Sequence, residues 1–321
     1  MTTKDDLSWA DAYPGVYPFL GEIFCLTFVK EVDATEALRR MGGYPDTIDT
    51  RTLTEIGDLH NFDDGFPDMA SAVALGDWTV LFEPSGFTGS GLITALSLGT
   101  EAVSVLRHDY ASPRFGYAVD GELITEFDPT FPTNRHGADP DRLLPQMLDV
   151  GFTVTEDEEG EFDDDMFDDD TARSLRLTER LTGALPTFEV LTGPLTSAQF
   201  EKWFSQARKP PAGRPHHTGP VNAVDEVRRL TALHSLTDTP GLEDALAATK
   251  PVQVTSDSPL GQHVRGWLAE AQRASWSLNG HARGRMTDTQ RRRAHDLGWL
   301  AAALGAALQA DPEPGNRPIS S

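Results

Sequence analysis

AVALGDWTVLFEPSGFTGSG, residues Ala72–Gly91, is the stretch that decides the fold. Two β-rich runs, Ala72–Leu75 and Trp78–Glu83, are separated by Gly76-Asp77. Glycine at the first position of a two-residue connection favours a type II′ hairpin turn. The alternation of Trp78, Val80 and Phe82 predicts that these three side chains share one inward face of the second strand. The stretch therefore predicts a β-hairpin at the centre of a sheet.

Signals for other strands and helices extend this hairpin into an α+β domain. A glycine-rich segment, Gly86–Gly91, leads into a predicted helix over Leu92–Leu98. Further strands are predicted over Ile23–Val29, Ala102–Arg107, Phe115–Val119 and Glu122–Phe127, the last two joined by the type I′ turn signal Asp120-Gly121. Further helices are predicted after Asp33, from Asp139-Pro140 to Gly151, and over 171–181, 187–191 and 197–206. The fold class is therefore α+β, with a mixed, largely antiparallel sheet and packed helices, followed by a smaller all-helical domain.

The charge is unevenly distributed along the chain. Residues 1–205 contain 13 Lys and Arg against 39 Asp and Glu, a net charge of −26, whereas residues 206–321 contain 14 against 11, a net charge of +3. Such a difference predicts two domains. They are an acidic α+β domain over 1–205 and a helical domain over 221–309, with predicted helices over 221–236, 242–248, 262–278 and 288–309.

Three segments have the composition of irregular structure. Residues 156–170 hold 11 acidic side chains in 15, a run that repels itself and is predicted to be a disordered loop. Residues 206–220 are rich in proline and are predicted to be a linker, and residues 310–321 a disordered tail. Nucleic-acid mimicry by the acidic run is one functional hypothesis for it.

Composition also limits the compartment and the cofactors. Cys25 is the only cysteine, so a single chain has no internal disulfide and no cysteine-based zinc site. Cys25 stands in an apolar run, which predicts a buried thiol. The histidine spacing matches no metal-binding pattern, so we expect no metal and no cofactor. The first residues carry no apolar signal-peptide core, which predicts a cytoplasmic protein.

Several segments of the first domain resemble an actinobacterial domain family of unknown function, over roughly residues 7–190. They are WADAYPGVYPFLGEIFCLTFVKEVDATEALRRMGG, GDWTVLFEPSGFTGS, SLGTEAVSVLRHDYASPRFGYAVDGELITEFDP and GADPDRLLPQMLDVGF. The resemblance implies a compact α+β domain. It implies no active site, cofactor or substrate.

The glycine-rich segment invites a phosphate-binding interpretation, because free backbone amides at a helix start bind anions. Walker-type chemistry is excluded, since Gly91 is followed by Leu92 and Ile93 rather than by Lys and Ser or Thr. The simpler alternative is a connecting loop in which the glycines adopt backbone conformations that other residues disfavour. A hydrolase would need Ser85 beside a histidine, for which His60, His108 and His136 are the candidates.

Cations are rare in the acidic domain, which draws attention to three arginines in strand ends and loops. Arg107 and Arg114 lie near His108, and Arg135 precedes His136. Salt bridges to carboxylates such as Asp109, Glu126 or Asp128 are the simpler interpretation, and a small anion-binding cleft or a specific protein contact is the sharper one. The candidate ligand or partner site is therefore composed of Gly86, Gly89, Gly91, Arg107, Arg114, Arg135 and His136.

Two classes of function follow from these observations. The leading hypothesis is a non-enzymatic acidic module that binds a protein partner, of an immunity, defence or regulatory kind, because no catalytic constellation is recognisable. The alternative is an enzyme that acts on a small anion through Gly86–Gly91 with Arg107, Arg114 and His136. A net charge of −23 opposes binding to nucleic acid and to anionic membranes.

Overall fold

The computed structural model describes residues 3, 5–60, 66–154, 169–205, 222–248, 252–275 and 283–309. The strands are β1 (Ile23–Lys30), β2 (Asp49–Arg51), β3 (Met69–Leu75), β4 (Trp78–Pro84), β5 (Glu101–His108), β6 (Arg114–Val119), β7 (Glu122–Phe127), β8 (Arg135–His136) and β9 (Leu195–Gln199). The helices of the α+β part are α1 (Ser8–Asp11), α2 (Ala34–Met41), α3 (Leu53–Asp58), α4 (Thr88–Leu96), α5 (Leu144–Asp149), α6 (Asp170–Thr182) and α7 (Phe188–Thr192). The later helices are α8 (Ala223–Leu233), α9 (Leu242–Ala247), α10 (Pro259–Arg273) and α11 (Asp288–Gln309).

All nine strands form one sheet, in the order β2-β9-β3-β4-β1-β5-β6-β7-β8. Every pairing between these strands is antiparallel. The two predicted hairpins are present: Leu75 pairs with Trp78, and Val119 pairs with Glu122. Asp120 and Gly121 both have positive φ, as a type I′ turn requires, and Gly76 has a φ of 62°. The predicted α+β class with an antiparallel sheet is confirmed.

Helices cover both faces of the sheet. On one face, α1, α5, α6 and α7 pack against alternate residues of the central strands, such as Phe24, Val80 and Val105. On the other face, α2 and α4 pack against Val29, Leu81 and Ala102. Trp78, Val80 and Phe82 are buried on one shared face as predicted, but the intervening Thr79, Leu81 and Glu83 are buried as well. The side chains on both faces of the central strands are therefore almost all buried.

Three sequence-based assignments need correction. Residues 195–199, where a capping pattern predicted the start of a helix, form β9 between β2 and β3, and Ser197 bonds the hydroxyl of Ser71 at 2.8 Å. Helix α4 begins at Thr88, within the segment predicted as a loop. The helix predicted from Asp139 begins at Leu144, because Ala138 and Asp139 instead donate backbone hydrogen bonds to β7.

The predicted acidic loop lies largely outside the described residues, with the exception of Asp169 and Asp170. These two residues begin α6, and Asp170 is buried. The predicted linker over 206–220 and the predicted tail over 310–321 also lie outside the described residues. Their disorder stays a prediction, as do the domain limits 1–205 and 221–309.

The chain divides into two compact units. The first comprises Met1–Gly43, Thr47–Ile56 and Asp68–Ala207, and the second comprises Tyr44–Asp46, Gly57–Pro67 and Arg208–Ser321. In the second unit, α11 packs against α10 and α8. The side chain of Arg265 on α10 lies over the ring of Tyr44 and pairs with Asp46 at 2.7 Å. Among the described helices, none has the length and apolar character needed to cross a bilayer.

Candidate functional site

The glycine-rich segment connects β4 to α4 through a carboxylate of its own chain. Glu83, near the end of β4, accepts hydrogen bonds from the backbone amides of Gly89 at 2.6 Å and Thr88 at 3.0 Å. Carboxyl oxygens at this position satisfy amides that have no partner within the helix. The segment therefore does not offer these two amides to an external anion, as the phosphate-binding interpretation requires.

Glu83 lies in a closed polar cluster between α4 and the sheet. Its exposure is only 2%, and burial raises the pKa of its carboxyl to about 8, although the two amide hydrogen bonds act in the opposite direction. Beside it, the thiol of Cys25 lies 3.4 Å from the Ser104 hydroxyl. Burial raises the pKa of this thiol to about 12, so Cys25 is the buried thiol that the sequence predicted rather than a nucleophile.

Close packing explains Gly89 better than ligand binding does. A Cβ at Gly89 would lie 2.6 Å from Oε1 of Glu83 and 2.7 Å from Oγ1 of Thr27. At Gly91, two residues further along α4, a Cβ would meet no atom within 4 Å. Gly89 therefore allows α4 to approach the sheet, and Gly91 has no such role.

Arg107 holds the N-terminal arm, residues 8–19, against the end of β5. Its Nη1 donates to the carbonyl oxygens of Ala10 at 2.7 Å and Ala12 at 3.0 Å. Its Nε and Nη2 donate to the two carboxylate oxygens of Asp109, at 2.8 and 2.9 Å. The guanidinium is thus engaged by its own chain, and the predicted pairing of Arg107 with Asp109 is present.

The other candidate residues lie on different strands. Arg114, at the start of β6, is 3.7 Å from Glu126, which is also a pairing that the sequence predicted. Arg135 and His136 form β8 at the edge of the sheet, and Arg135 pairs with Asp141, a carboxylate that was not among the expected partners. Since β5 and β8 are three strands apart, their backbones are separated by roughly 14 Å at the usual strand spacing.

The Ser–His pair that a hydrolase would need at Ser85 is not formed among the described residues. Ser85 has a φ of 60°, and its backbone amide donates to the carbonyl of Ile23. Among the described residues, no hydrogen bond joins its hydroxyl to His60, His108 or His136. This geometry gives no support to hydrolytic chemistry at Ser85.

A cavity of ≈ 280 Å³ lies beside Arg107 in the first unit. Its lining residues come from the arm, the end of β5, the loop after β7 and the start of α6: Asp11, Tyr13, Arg107, His108, Asp109, Pro113, Thr130, Asp170 and Thr171. Of the seven candidate residues named from the sequence, only Arg107 lines this cavity. We call it the acidic cavity, because three of its lining residues are aspartates.

Each aspartate of the acidic cavity is held in place by neighbouring groups. Asp11 accepts hydrogen bonds from the amides of Thr171 at 3.1 Å and Ala172 at 2.8 Å, and so caps the start of α6. Asp109 accepts from Arg107, and Oδ2 of Asp170 accepts from the Thr130 hydroxyl at 3.0 Å. Burial raises the pKa of Asp11, and it raises the pKa of Asp170 to about 6.

Exposed aromatic side chains adjoin the lining residues of the acidic cavity. Tyr13 lines it and is 62% exposed, and Phe131, which follows the lining residue Thr130, is 49% exposed. The lining residue His108 contacts the rings of Phe87 and Tyr110, which are 56% and 71% exposed. We call Tyr13, Phe87, Tyr110 and Phe131 the aromatic collar. Each of the four residues lines the cavity, contacts a lining residue or follows one in sequence, and they come from four separate parts of the chain.

Within the described ranges, no group of three or more His, Cys, Asp or Glu side chains has the geometry to hold a metal ion. Sequence reasoning missed Asp11, Tyr13 and Asp170, because Asp11 and Tyr13 stand in the N-terminal arm and Asp170 ends the acidic run. The raised proportion of aromatic residues in the arm was the only signal available.

A larger cavity of ≈ 530 Å³ lies between α10 and α11 in the second unit. It is lined by four alanines together with Ser275, Arg283, Arg291, His295, Gly298 and Trp299. Ser275 and Arg283 border residues 276–282, which are outside the described residues. We therefore assign no function to this cavity.

Comparison with known families gives one match. The model of a family of unknown function, DUF6461, matches residues 1–202. No curated protein and no solved structure matches the chain. The expected resemblance to a domain family of unknown function is confirmed over a longer range than 7–190, and its actinobacterial character stays a prediction. The match covers the whole sheet with its helices and the acidic cavity, and the chain belongs to the family of unknown function DUF6461.

Proposed function

We propose that this chain is a non-enzymatic module that binds a partner protein through the aromatic collar and the acidic cavity. The observation that carries the proposal is the exposed aromatic rings at the acidic cavity: Tyr13 lines it, and Phe87 and Tyr110 contact the lining residue His108. Exposed apolar groups that cluster in this way mark interaction sites more often than scattered ones do. Tyrosine in particular is enriched among residues that dominate binding energy at interfaces.

The charge of the domain supports a basic partner. Residues 1–205 have 13 basic against 39 acidic side chains, so the field of the domain attracts positively charged surfaces and repels nucleic acid. Complementary charge raises the association rate and helps to select the partner. We propose a regulatory or immunity-type role in the cytoplasm, with the partner presenting a basic segment to the cavity.

The alternative, an enzyme that acts on a small anion, receives less support. The amides of Thr88 and Gly89 are engaged by Glu83, and the guanidinium of Arg107 is engaged by Asp109 and by two carbonyl groups. Positioned donors that are already satisfied cannot stabilise the charge that develops in a transition state. No second function is therefore proposed.

The test is affinity capture from a lysate of the organism that encodes the chain, with three immobilised forms. These are the wild type, the double variant Tyr13→Ser/Tyr110→Ser, and the control Leu98→Ser, which changes an exposed apolar residue after α4. We expect one stoichiometric basic partner that is retained by the wild type and by the control but is lost from the double variant. A partner that binds all three forms equally would contradict the proposal, as would capture of no partner by any form.

A further inference from the structure

Three rings form a continuous row at the end of β5. The ring centroid of Phe87 lies 5.7 Å from that of His108, and the His108 centroid lies 6.4 Å from that of Tyr110. The two outer side chains are well exposed, Phe87 by 56% and Tyr110 by 71%. We call Phe87, His108 and Tyr110 the aromatic row. Its outer rings lie no more than about 12 Å apart, because each step along the row is about 6 Å.

The aromatic row lies at the ends of central strands and not along a free edge of the sheet. Phe87 follows β4 and His108 ends β5, and β1 lies between these two strands. Each of these three strands is paired with a neighbour on both sides. A peptide at the row is therefore not recognised by addition of a strand to the sheet, and its recognition depends on the side chains of the row.

His108 supplies a hydrogen-bond donor in the middle of the aromatic row. Its Nδ1 atom accepts the backbone amide of Tyr110 at 3.2 Å, so the proton of the neutral ring lies on Nε2. Among the described residues, this Nε2–H group has no hydrogen-bond acceptor. The row therefore presents a free N–H donor between two exposed rings, which indicates a ligand that has a carbonyl group between two apolar groups.

We propose that the aromatic row binds a proline-rich segment of the basic partner in the polyproline II conformation, an inference that rests on the proposed function. This helix has no internal hydrogen bonds, so its carbonyl groups are free to accept from His108, whereas an α-helix uses its carbonyl groups internally. It has three residues per turn and rises by about 3.1 Å per residue, so prolines three positions apart lie on one face, about 9 Å from each other.

That spacing fits the aromatic row. Two such prolines can pack on the rings of Phe87 and Tyr110, whose separation is at most about 12 Å, and a carbonyl group between them then lies at His108. Grooves lined by aromatic side chains recognise proline-rich segments in this manner, because the segment is already extended and loses little conformational entropy on binding.

The charge around the aromatic row favours basic residues beside the prolines. The Tyr110 hydroxyl donates to Oε2 of Glu22 at 2.8 Å, and Asp109 stands between His108 and Tyr110 in the sequence. Residues 1–205 have 13 basic against 39 acidic side chains. Lysine or arginine at the ends of the segment is attracted by this field, which mainly raises the association rate. We therefore expect binding to weaken when salt is added.

The test is a calorimetric titration of the full chain with the peptide acetyl-Lys-Pro-Ala-Ala-Pro-Pro-Ala-Ala-Pro-Lys-amide and with two relatives of it. In the first relative every proline is replaced by serine, and in the second both lysines are replaced by glutamine. We expect the serine peptide to bind at least about tenfold more weakly, because it lacks both the preformed helix and the proline rings. The glutamine peptide should also bind more weakly, and this difference should shrink as salt is added.

Variants of the aromatic row locate the binding surface. Phe87→Ala should weaken binding of the proline peptide by about tenfold. The matched control is Leu148→Ala on α5, which changes a side chain of similar exposure, 55% against 56%, and should leave binding unchanged. His108→Asn keeps an acceptor near the Tyr110 amide but removes the Nε2–H donor, whereas His108→Gln retains a donor near the position of Nε2. Binding should therefore be weaker in the asparagine variant than in the glutamine variant.

The results of this test are distinct from those of the capture experiment. Equal binding of the proline and serine peptides, or no saturable binding of the proline peptide at millimolar concentration, overturns the proline inference, while the capture experiment still decides whether a protein partner exists. Unchanged binding in both Phe87→Ala and His108→Asn would place the peptide elsewhere and overturn the inference as well. A dimer of the chain that Phe87→Ala dissociates would identify a second copy as the ligand of the row, which also contradicts it.

Discussion

Two helix starts in the first unit use the same chemistry and lead to opposite outcomes. At α4 the amides of Thr88 and Gly89 donate to the carboxylate of Glu83, and at α6 the amides of Thr171 and Ala172 donate to the carboxylate of Asp11. Both carboxylates satisfy amides that a helix leaves unpaired. Glu83 is 2% exposed and lies in a closed cluster, whereas Asp11 lines an open cavity.

The two caps differ in one respect that matters for the proposed function: only the cap of α6 meets an opening. The start of α4 follows a strand and contains glycines, which are sequence features typical of anion binding. Its free backbone amides nevertheless donate to Glu83 of the same chain. The α6 start follows an acidic run that predicts no structure, yet it combines with the arm and the end of β5 to line the acidic cavity. The more recognisable sequence pattern, at the start of α4, therefore has a structural role.

The largest effect on stability is expected from closing the space that Gly89 leaves. Gly89→Ala places a Cβ 2.6 Å from Oε1 of Glu83, so the helix or the carboxylate must move, and overpacking of this kind costs about 1–3 kcal/mol. Gly91→Ala is the matched control, because a Cβ there meets nothing within 4 Å and alanine favours a helix by up to about 1 kcal/mol. Urea unfolding measures both, and equal effects at the two positions would contradict the packing role of Gly89.

Loss of the carboxylate that caps α6 should have a smaller effect. Asp11→Ala removes the acceptor for the amides of Thr171 and Ala172, and the loss of a capping side chain costs about 0.5–2 kcal/mol. Asp11→Asn keeps an acceptor oxygen and should recover part of this loss. Both free energies of unfolding are measurable by urea denaturation, and an Asp11→Ala protein as stable as the wild type would show that Asp11 is not needed as a cap.

The free energy of unfolding should depend on pH through the buried carboxyl group of Glu83. Because the pKa of Glu83 is raised to about 8 from an ordinary value of 4.5, the folded state binds this proton more tightly than the unfolded state does. The stabilisation of the folded state by the protonated Glu83 carboxyl is fully present below pH 4.5 and is lost as the pH rises to about 8. Glu83→Gln, which cannot ionise, should reduce the decline of the unfolding free energy between these values. An identical pH profile for the wild type and the variant would contradict the assignment.

The smallest effect on stability is expected at the collar. Tyr13 and Tyr110 are 62% and 71% exposed, and exposed substitutions usually change the free energy of unfolding by no more than about 0.5 kcal/mol. Tyr13→Ser and Tyr110→Ser should therefore leave the urea midpoint nearly unchanged while they reduce partner binding. A loss of more than about 2 kcal/mol in either variant would mark the collar as part of the structure rather than as a binding surface.

Local signals predicted the hairpins well, because turn geometry depends on a few neighbouring residues. Gly76-Asp77 and Asp120-Gly121 connect adjacent strands as their sequences indicated. Strand β9 was mistaken for a helix start, because the Thr196-to-Gln199 spacing matches a cap, while the pairing with Met69–Ala72 spans more than a hundred residues. The acidic cavity could not be predicted for the same reason: Asp11, Asp109 and Asp170 meet only when the arm, β5 and α6 are assembled.

The most direct test of the account compares the two helix starts in a single titration. Backbone amide resonances of Thr88, Gly89, Thr171 and Ala172 are followed by NMR while a short peptide containing arginine and lysine is added to the full chain. We expect the resonances of Thr171 and Ala172 to shift in a saturable manner and those of Thr88 and Gly89 not to shift. Shifts at Thr88 and Gly89 without shifts at Thr171 and Ala172 would contradict it, because the ligand would then bind at the start that the structure closes.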